Sequence, residues 1–300
     1  MGKSEFIKAI KDRGTAFFEN EPMSKHTTFK IGGNADVFVT PKDEDELVFT
    51  VSAARRAALP YFVTGNGSDL LVSDKGIEGA VICLDKMRGI SVMENTVTVC
   101  AGQSVMSLCS FLQKRGLSGL EFAYGIPGTV GGAVYMNAGA YGGEIKDVTV
   151  SVRYLDKSGV ITEIGKEDLC FSYRKSVFQE NGGIILSATF LLDKDDPEKI
   201  LERMNDYYSR RTSKQPLEYP SAGSVFRRPE GNFAGTLIEK SELKGVSVGG
   251  AAVSEKHAGF IVNTGGATSE DVRRLIEIIR QKVLADSGIE LQTEVIFIGR

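Results

Sequence analysis

Apolar side chains recur at helical spacing in five stretches of the chain. The clearest lies near the C-terminus, where a capping sequence at 268–271 precedes an apolar stripe and Gly288 follows as a stop signal. The stripe consists of Val272, Leu275, Ile276, Ile279 and Val283. Polar start signals at Asp43, Ser104 and Asp195 mark three of the other helices. The five predicted helices span 3–12, 43–58, 104–115, 195–212 and 268–286.

Short apolar or alternating runs between these helices predict strands. Residues 90–100 alternate around Glu94-Asn95, which predicts a hairpin, and the turn at 156–159 separates two further strand-like runs. The first 85 residues therefore have a β-α-β-like pattern, and the middle third consists mostly of short strands with one helix. The predicted strands span 35–39, 61–63, 79–84, 90–100, 147–155, 160–164, 184–192 and 289–298.

The composition is that of an ordinary globular protein, except for glycine. Apolar residues make up 42% and charged residues 25%, which excludes gross disorder. The net charge of −3 disfavours a bulk nucleic-acid ligand. Glycine accounts for 34 of the 300 residues, above its usual share of about 7%. The places where glycine clusters should therefore be informative.

Cysteine and histidine usage argues against a metal site. Cys83, Cys100, Cys109 and Cys170 include no CxxC pair, and the chain has only two histidines, so we expect no metal. Scattered cysteines suit a reducing compartment. The N-terminus has no apolar core of a signal peptide, and no run approaches the roughly 18 apolar residues of a membrane span. We therefore expect a cytoplasmic protein with no membrane partner.

The first glycine cluster directly follows the predicted strand 61–63. It contains Gly65, Asn66, Gly67, Ser68, Asp69 and Leu70. Consecutive N–H groups in such a turn can form an anion nest for a phosphate, whereas an Asn-Gly hairpin turn is the plain alternative. A Rossmann fingerprint would require a third glycine where Leu70 stands, and a Walker A lysine is missing.

The second and third clusters contain the remaining candidate chemistry. Seven glycines lie between 125 and 143, which suits either close approach of the backbone to a flat ligand or a tightly packed loop. The third cluster, at 220–229, contains Ser224 followed by two arginines. Because position 226 is phenylalanine, the G-x-S-x-G elbow of a hydrolase is absent. Ser224 is then either a turn residue or a catalytic or anion-binding residue.

These segments, taken in order, resemble the MurB family of UDP-N-acetylenolpyruvoylglucosamine reductases over nearly the whole chain. The chain is most similar to the shorter, second type, because it has no insert between about 175 and 220. The motifs that carry the resemblance are 26–33, 65–72, 125–143, 172–178, 214–216, 223–226, 257–263 and 294–299.

The resemblance implies an α+β fold with a two-subdomain FAD-binding region of the PCMH/vanillyl-alcohol-oxidase type, followed by an α+β substrate-binding domain. We expect FAD-binding subdomain 1 at 1–84, FAD-binding subdomain 2 at 85–195 and the substrate-binding domain at 196–294. The C-terminal strand 295–300 is expected to return to the first subdomain.

The resemblance also implies a two-step reduction in peptidoglycan precursor synthesis. NADPH reduces non-covalently bound FAD, which then delivers hydride to C3 of UDP-N-acetylglucosamine-enolpyruvate while a proton goes to C2. Arg174 and Glu294 match the groups at the substrate carboxylate, and Ser224 matches the proton donor. Hydride addition creates an enolate-like charge, which fixed cations and protonated donors stabilise. From the residues alone, Arg174 as a surface side chain and Glu294 as a strand-edge charge would be the favoured interpretation.

The resemblance assigns binding roles to two further sets of residues. Asp69 is expected to point away from the diphosphate, and His257 is either a ligand contact or a core histidine. Substrate-binding residues are expected at Tyr173, Lys214, Arg228 and His257. Cofactor-binding residues are expected at Gly65, Asn66, Gly67, Ser68, Asp69, Leu70, Gly125, Ile126, Pro127, Gly128, Thr129, Gly131, Gly132, Ala133 and Asn137.

The chain departs from the family pattern at two positions, and two alternative functions remain open. Relatives often have asparagine where Asp69 stands and a basic residue where Ile296 stands. The rivals are another FAD-dependent oxidase or dehydrogenase of the same FAD-domain type and a non-catalytic nucleotide-sugar-binding protein. Retention of Arg174, Ser224 and Glu294 together argues against the second rival. We expect a monomer whose partner is the small-molecule substrate.

Overall fold

A computed structural model of the chain describes residues 2–300. Within them, no helix is long and apolar enough to cross a membrane. The helices are α1 Lys3–Arg13, α2 Glu44–Arg56, α3 Val105–Gln113, α4 Val130–Tyr135, α5 Ile145–Val148, α6 Phe178–Asn181, α7 Pro197–Lys214, α8 Ala234–Lys240 and α9 Ser269–Ser287.

The strands are mostly short. They are β1 Phe17–Pro22, β2 Asn34–Val39, β3 Tyr61–Thr64, β4 Leu70–Val72, β5 Ile77–Cys83, β6 Ile90–Met93, β7 Thr96–Cys100, β8 Leu117–Ser118, β9 Gly139–Ala140, β10 Gly143–Glu144, β11 Thr149–Leu155, β12 Ile161–Gly165, β13 Ile184–Leu191, β14 Asp193–Lys194, β15 Ser247–Val248, β16 Ala251–Val253, β17 Ile261–Asn263 and β18 Ile296–Ile298.

The chain divides into two compact units that are discontinuous in sequence. Unit 1 comprises 1–18, 37–66 and 79–211, and unit 2 comprises 19–36, 67–78 and 212–300. Most residues of both expected FAD-binding subdomains therefore belong to unit 1. Two pieces of the expected first subdomain, 19–36 and 67–78, belong instead with the C-terminal part of the chain.

Unit 1 is built around a five-stranded antiparallel sheet in the order β12-β11-β13-β7-β6. The alternation in β7 turns Val97 and Val99 inward, where both are fully buried together with Phe190 of β13. The hairpin predicted around Glu94 is confirmed, and Glu94 adopts the left-handed conformation that a tight turn requires.

The opening β-α-β pattern is confirmed as well. Asp43 caps α2 by accepting a hydrogen bond from the Glu46 N–H, and β3 then runs parallel to β5. These strands belong to a sheet in the order β1-β2-β5-β3. Helix α1 buries Phe6 and Ile10 against α2, because these two side chains lie on one face of the helix.

Unit 2 has its own core beneath α9. All five residues of the predicted stripe are buried, Thr268 and Asp271 form a capping box, and Gly288 ends the helix in the left-handed conformation. The helix packs against an antiparallel sheet in the order β15-β16-β17. A separate parallel pair joins β18 to β4, with Ile296 in register with Leu70.

The structure corrects two element predictions. The predicted strand 289–298 is a strand only at Ile296–Ile298, because the residues before it form only an isolated bridge and a few backbone hydrogen bonds with residues 225–227. The glycine-rich stretch 119–143 contains helix α4 and the β9–β10 hairpin, which the sequence pattern did not predict.

Candidate active site

The first two glycine clusters meet within unit 1. The Asn66 side chain donates a hydrogen bond to the Pro127 carbonyl at 3.1 Å. Gly65 lies directly on Thr129, so that a Cβ at Gly65 would overlap the threonine hydroxyl. Thr129 in turn caps α4 by accepting from the Gly132 N–H. Glycine at position 65 is therefore required by the close approach of these two loops.

The continuation of the first cluster belongs to unit 2. Gly67 adopts φ +59°, and a Cβ there would overlap the carbonyl oxygen of His26. The Ile296 N–H donates to the Asp69 carbonyl at 2.9 Å, which ties this loop to the strand after Glu294. Because β3 and β4 belong to different sheets, the Asn-Gly hairpin interpretation of this cluster is wrong. The loop joins two separate strands, as a ligand-binding loop would.

Residues Tyr173 and Arg174 form the tip of a tight turn in unit 1. Ser172 and Lys175 exchange two backbone hydrogen bonds of 3.1 Å, and Arg174 takes the left-handed conformation with φ 55°. A non-glycine residue in this region is uncommon and costs free energy, so surrounding contacts must hold it. Gln179 supplies one of them by donating to the Arg174 carbonyl at 3.0 Å.

The Arg174 side chain reaches the second glycine cluster. Its guanidinium donates to the Gly139 carbonyl at 3.3 Å and lies 5.0 Å from the ring centroid of Tyr173. Burial opposes ionisation of nearby Glu144, yet hydrogen bonds from Lys146 and Asn137, together with the charges of Lys146 and Arg174, hold the pKa of Glu144 below its usual value. Arg174 in the turn therefore interacts through its charge with Glu144, which follows the glycine cluster.

The Asn137 side chain, which was predicted to contact a cofactor, makes its hydrogen bonds within the protein. It is fully buried, and its amide nitrogen donates to the Ser172 carbonyl at 2.9 Å and to Glu144 at 3.1 Å. Its amide oxygen accepts from the Lys146 N–H at 3.0 Å. Both amide hydrogens and the oxygen are used within the protein, so the Asn137 side chain supports the Arg174 turn.

Three segments of unit 2 bring Ser224, His257 and Glu294 into one local structure. The Val225 N–H donates to the Gly259 carbonyl at 2.9 Å, and the Glu294 N–H donates to the Val225 carbonyl at 2.7 Å. Bridges between Ser224 and Phe260, and between Phe226 and Thr293, extend this pairing. Gly223 begins the segment with φ +76°. The Ser224 segment therefore lies between the other two.

His257 is half-buried within this structure. Its Nδ1 accepts from the Gly259 N–H at 3.1 Å, and its ring lies edge-on to Phe260. Burial, together with the charges of Lys244 and Lys214, lowers the pKa of His257 below its usual value. His257 is thus held by its own loop and lies within the field of two lysines, of which Lys244 was missed by the sequence interpretation.

Arg228 and Lys214 stand at more exposed positions. The Arg228 guanidinium lies 4.0 Å from the ring centroid of Phe233, which is itself 58% exposed. Lys214 is the last residue of α7. One further cation, Arg211 on the same helix, lies against Gly125 and has a buried Nε atom without a hydrogen-bond partner among residues 2–300. No sequence motif singled out Arg211.

Comparison with known proteins decides the family. Residues 215–298 match the model of the C-terminal domain of UDP-N-acetylenolpyruvoylglucosamine reductase, and residues 35–165 match that of an FAD-binding domain. The chain is 47% identical over 293 residues to the UDP-N-acetylenolpyruvoylglucosamine reductase of Caldanaerobacter subterraneus subsp. tengcongensis, covering 98% of this chain and 97% of that protein. The chain belongs to the UDP-N-acetylenolpyruvoylglucosamine reductase family.

Two further members of the UDP-N-acetylenolpyruvoylglucosamine reductase family support this. The enzyme of that name from Clostridium botulinum strain Hall is 49% identical over 280 residues, covering 93% of this chain and 92% of that protein. The crystal structure of the enzyme from Thermus caldophilus superposes with a TM-score of 0.81 at 34% identity, covering 94% of this chain and 98% of that one. The predicted family, fold class, FAD cofactor and oxidoreductase class are confirmed.

Proposed function

We propose that this chain reduces the enolpyruvyl ether of UDP-N-acetylglucosamine-enolpyruvate to UDP-N-acetylmuramate, with NADPH as the hydride source. The observation that carries the proposal is the backbone pairing of Glu294 with Val225, the residue that follows Ser224. The Glu294 N–H donates to the carbonyl of Val225, directly after Ser224, within the segment that matches the family's C-terminal domain. A proton donor and a carboxyl group are thereby held on adjacent segments.

The residues of unit 1 fit an FAD cofactor. Gly65 and Gly131 lie so close to Thr129 and Ala101, respectively, that a side chain at either position would displace the loop. The buried Nε of Arg211 offers an unused donor beside the same loop. We propose that FAD is held non-covalently by Gly65–Leu70 and Gly125–Ala133, without the Asn137 side chain.

When bound, FAD supplies the hydride that adds to C3 of the enolpyruvyl ether. The chain must then stabilise negative charge at C2 and its carboxylate and deliver one proton to C2. We assign charge stabilisation to Arg174, whose position on a strained turn is fixed by Gly139 and Gln179. Ser224 delivers the proton from Oγ, and we assign Glu294 a position at the substrate carboxylate.

A cluster of cations in unit 2 suits the diphosphate of the substrate. Lys214 and Lys244 both act on His257, whose segment pairs with that of Ser224. Lysine is a compact cation that binds phosphate groups well. Because Lys244 is ion-paired with Glu239, we propose that Lys214 binds the diphosphate and that Tyr173, Arg228 and His257 complete the substrate contacts. Many relatives have a basic residue at the position of Ile296, and this set contains no counterpart of it.

We further propose that the chain acts as a monomer in the cytoplasm. All four cysteines are free in the structure, and Cys83 and Cys109 are buried, which raises the pKa of each to about 12. Such thiols are inert, as expected in a reducing compartment. Equilibrium sedimentation at increasing protein concentration should give a constant mass of one chain, whereas a concentration-dependent mass would disprove the monomer.

The function is tested by steady-state oxidation of NADPH under anaerobic conditions. NADPH consumption should require UDP-N-acetylglucosamine-enolpyruvate and should form UDP-N-acetylmuramate in equal amount, as measured by mass spectrometry. UDP-N-acetylglucosamine, which lacks the enolpyruvyl group, is the control and should give no turnover. Rapid oxidation with oxygen and an alcohol or sugar substrate would instead identify another oxidase of this FAD-domain type.

A further inference from the structure

The side chain of Gln179 on α6 bridges two parts of unit 1. Its amide nitrogen donates to the Arg174 carbonyl at 3.0 Å and to the Tyr135 carbonyl at 3.2 Å, and it also contacts the Met136 sulfur at 3.5 Å. A side-chain amide has two hydrogens, so both carbonyls can be bonded at once. Tyr135 is the last residue of α4, whereas Arg174 has φ 55° at the tip of its turn. Gln179 therefore ties the end of a helix to a strained backbone position.

Helix α4 is a fixed support for this bridge, because tight packing holds its N-terminal end. Thr129 caps the helix and lies directly on Gly65 of the first glycine cluster. In the first turn, a Cβ built on Gly131 would stand 2.9 Å from the Cβ of Ala101, so the helix backbone lies against that residue. The helix therefore runs from the proposed FAD loop to the bridge made by Gln179.

The other end of α4 is held from the segment that contains Gln179. The carbonyls of the last turn have no partner within a helix, so other groups must bond them. The fully buried Ser176 donates its hydroxyl to the Tyr135 carbonyl at 2.7 Å, beside the bond from Gln179. The neighbouring Phe178 is buried and packs edge-on against Tyr154 of β11, with 5.2 Å between ring centroids. Gln179 thus projects from an anchored segment.

The bond to the Arg174 carbonyl acts on the conformation of that residue itself. The hydrogen bonds between Ser172 and Lys175 join the two ends of the turn, whereas Gln179 contacts the backbone of Arg174. A non-glycine residue with positive φ is disfavoured and relaxes unless contacts hold it. Rotation out of the left-handed region turns the carbonyl and redirects the side chain. A donor on this carbonyl therefore also fixes the direction of the guanidinium.

We propose that Gln179 is a positioning residue for the reduction of the enolpyruvyl ether, because it holds Arg174 in the conformation that the reaction uses. This inference rests on the role of Arg174 in the proposed function. Gln179 acts through the backbone of Arg174 and not on the substrate. It lies one residue beyond the motif 172–178, and its role follows only from the contacts in the folded chain.

The test is an anaerobic stopped-flow measurement of both half-reactions with the purified holoprotein. Gln179→Met removes the two donors at similar length. Since a displacement of about 1 Å at a reacting group can cost about 10²-fold in rate, flavin reoxidation by UDP-N-acetylglucosamine-enolpyruvate should slow by about 10- to 100-fold. Flavin reduction by NADPH does not use the charge stabilisation assigned to Arg174 and should stay within about twofold of wild type.

Gln113→Met is the matched control. Gln113 is also half-buried in unit 1, and its amide donates to the Pro197 carbonyl at 2.9 Å. This variant should keep both rates. The melting temperature of each protein verifies folding, and Gln179→Leu, which also lacks a donor but differs in shape, replaces Gln179→Met if that variant does not retain flavin.

A double-mutant cycle with Arg174→Ala separates positioning from general damage. Without the guanidinium there is nothing for Gln179 to position, so adding Gln179→Met to the Arg174→Ala protein should slow reoxidation by less than about twofold. A purely structural role would give the same slowing in both backgrounds.

Two results would overturn the inference: an unchanged reoxidation rate in Gln179→Met, or equal slowing with and without Arg174. Full activity of Arg174→Ala by itself would instead count against the proposed function, and because this variant is measured alone, the two failures are distinguishable.

Discussion

Glu294 donates its backbone N–H to the carbonyl oxygen of Val225 at 2.7 Å, and this hydrogen bond fixes Glu294 beside the residue that follows Ser224. Arg227 makes an equivalent bond to Gln292 at 2.8 Å. The segments that carry the two candidate catalytic groups of unit 2 are thus paired through their backbones. Substitution of either side chain should therefore change the chemistry without moving the other residue.

Ser224→Ala should separate the two halves of the reaction. Removal of the hydroxyl eliminates the proposed proton donor to C2, so flavin reoxidation by the enolpyruvyl substrate should slow by about 10²- to 10⁴-fold. Flavin reduction by NADPH needs no such proton and should stay within about twofold of wild type. Stopped-flow absorbance measures both rates, with Ser221→Ala as the control. Equal slowing of both steps would contradict the role of Ser224.

Gly67→Ala should lower the unfolding free energy by more than the left-handed backbone at Gly67 alone would cause. Alanine at φ +59° costs about 1–2 kcal/mol, and its Cβ would also overlap the His26 carbonyl. Gly231 has φ +67° with open space around it, so Gly231→Ala is a matched control. We expect Gly67→Ala to lose about 1–3 kcal/mol more unfolding free energy in urea than this control. Its FAD affinity should fall as well.

Equal destabilisation of Gly67→Ala and Gly231→Ala would show that the loop relaxes around the added methyl group. In that case the close approach of His26 would not constrain the cofactor loop.

Asn137→Ala should destabilise the turn that contains Arg174, because Asn137 supports this turn through hydrogen bonds. The substitution removes the hydrogen bonds to the Ser172 carbonyl and to Glu144 and leaves the Lys146 N–H without its side-chain partner, at a cost of about 1–3 kcal/mol. Urea unfolding measures this loss, and kcat should fall because Arg174 is no longer held on its strained turn. Asn181→Ala, which removes a hydrogen bond to a surface turn, is the control. Unchanged kcat would mean that the turn is rigid without Asn137.

His257 should make stability depend on pH in the mildly acidic range. Burial, with Lys244 and Lys214, lowers the folded-state pKa of His257, so the unfolded chain binds its proton more tightly. The contribution is complete above the unfolded value of about 6.5 and is lost as pH falls toward the folded-state value. His257→Asn, which keeps an acceptor for the Gly259 N–H, should flatten this part of the profile. An unchanged slope would refute the assignment.

Local signals in the sequence account for the parts of the fold that were predicted correctly. The α9 stripe, its capping box and Gly288 lie within one helix, so spacing alone reveals them. The segment 289–295 was wrongly predicted as a strand, because its apolar pattern does not reveal that it pairs with 225–227 only through an isolated bridge and a few hydrogen bonds. Asn137 and Arg211 show the same limit for the site, because their partners and burial arise only from tertiary packing.

The anaerobic flavin spectrum tests the central claim most directly. The purified protein should show a bound-flavin spectrum that NADPH bleaches and that addition of UDP-N-acetylglucosamine-enolpyruvate restores in full. A flavin that stays reduced after that substrate is added, and reoxidises only when oxygen is admitted, would contradict the proposed function.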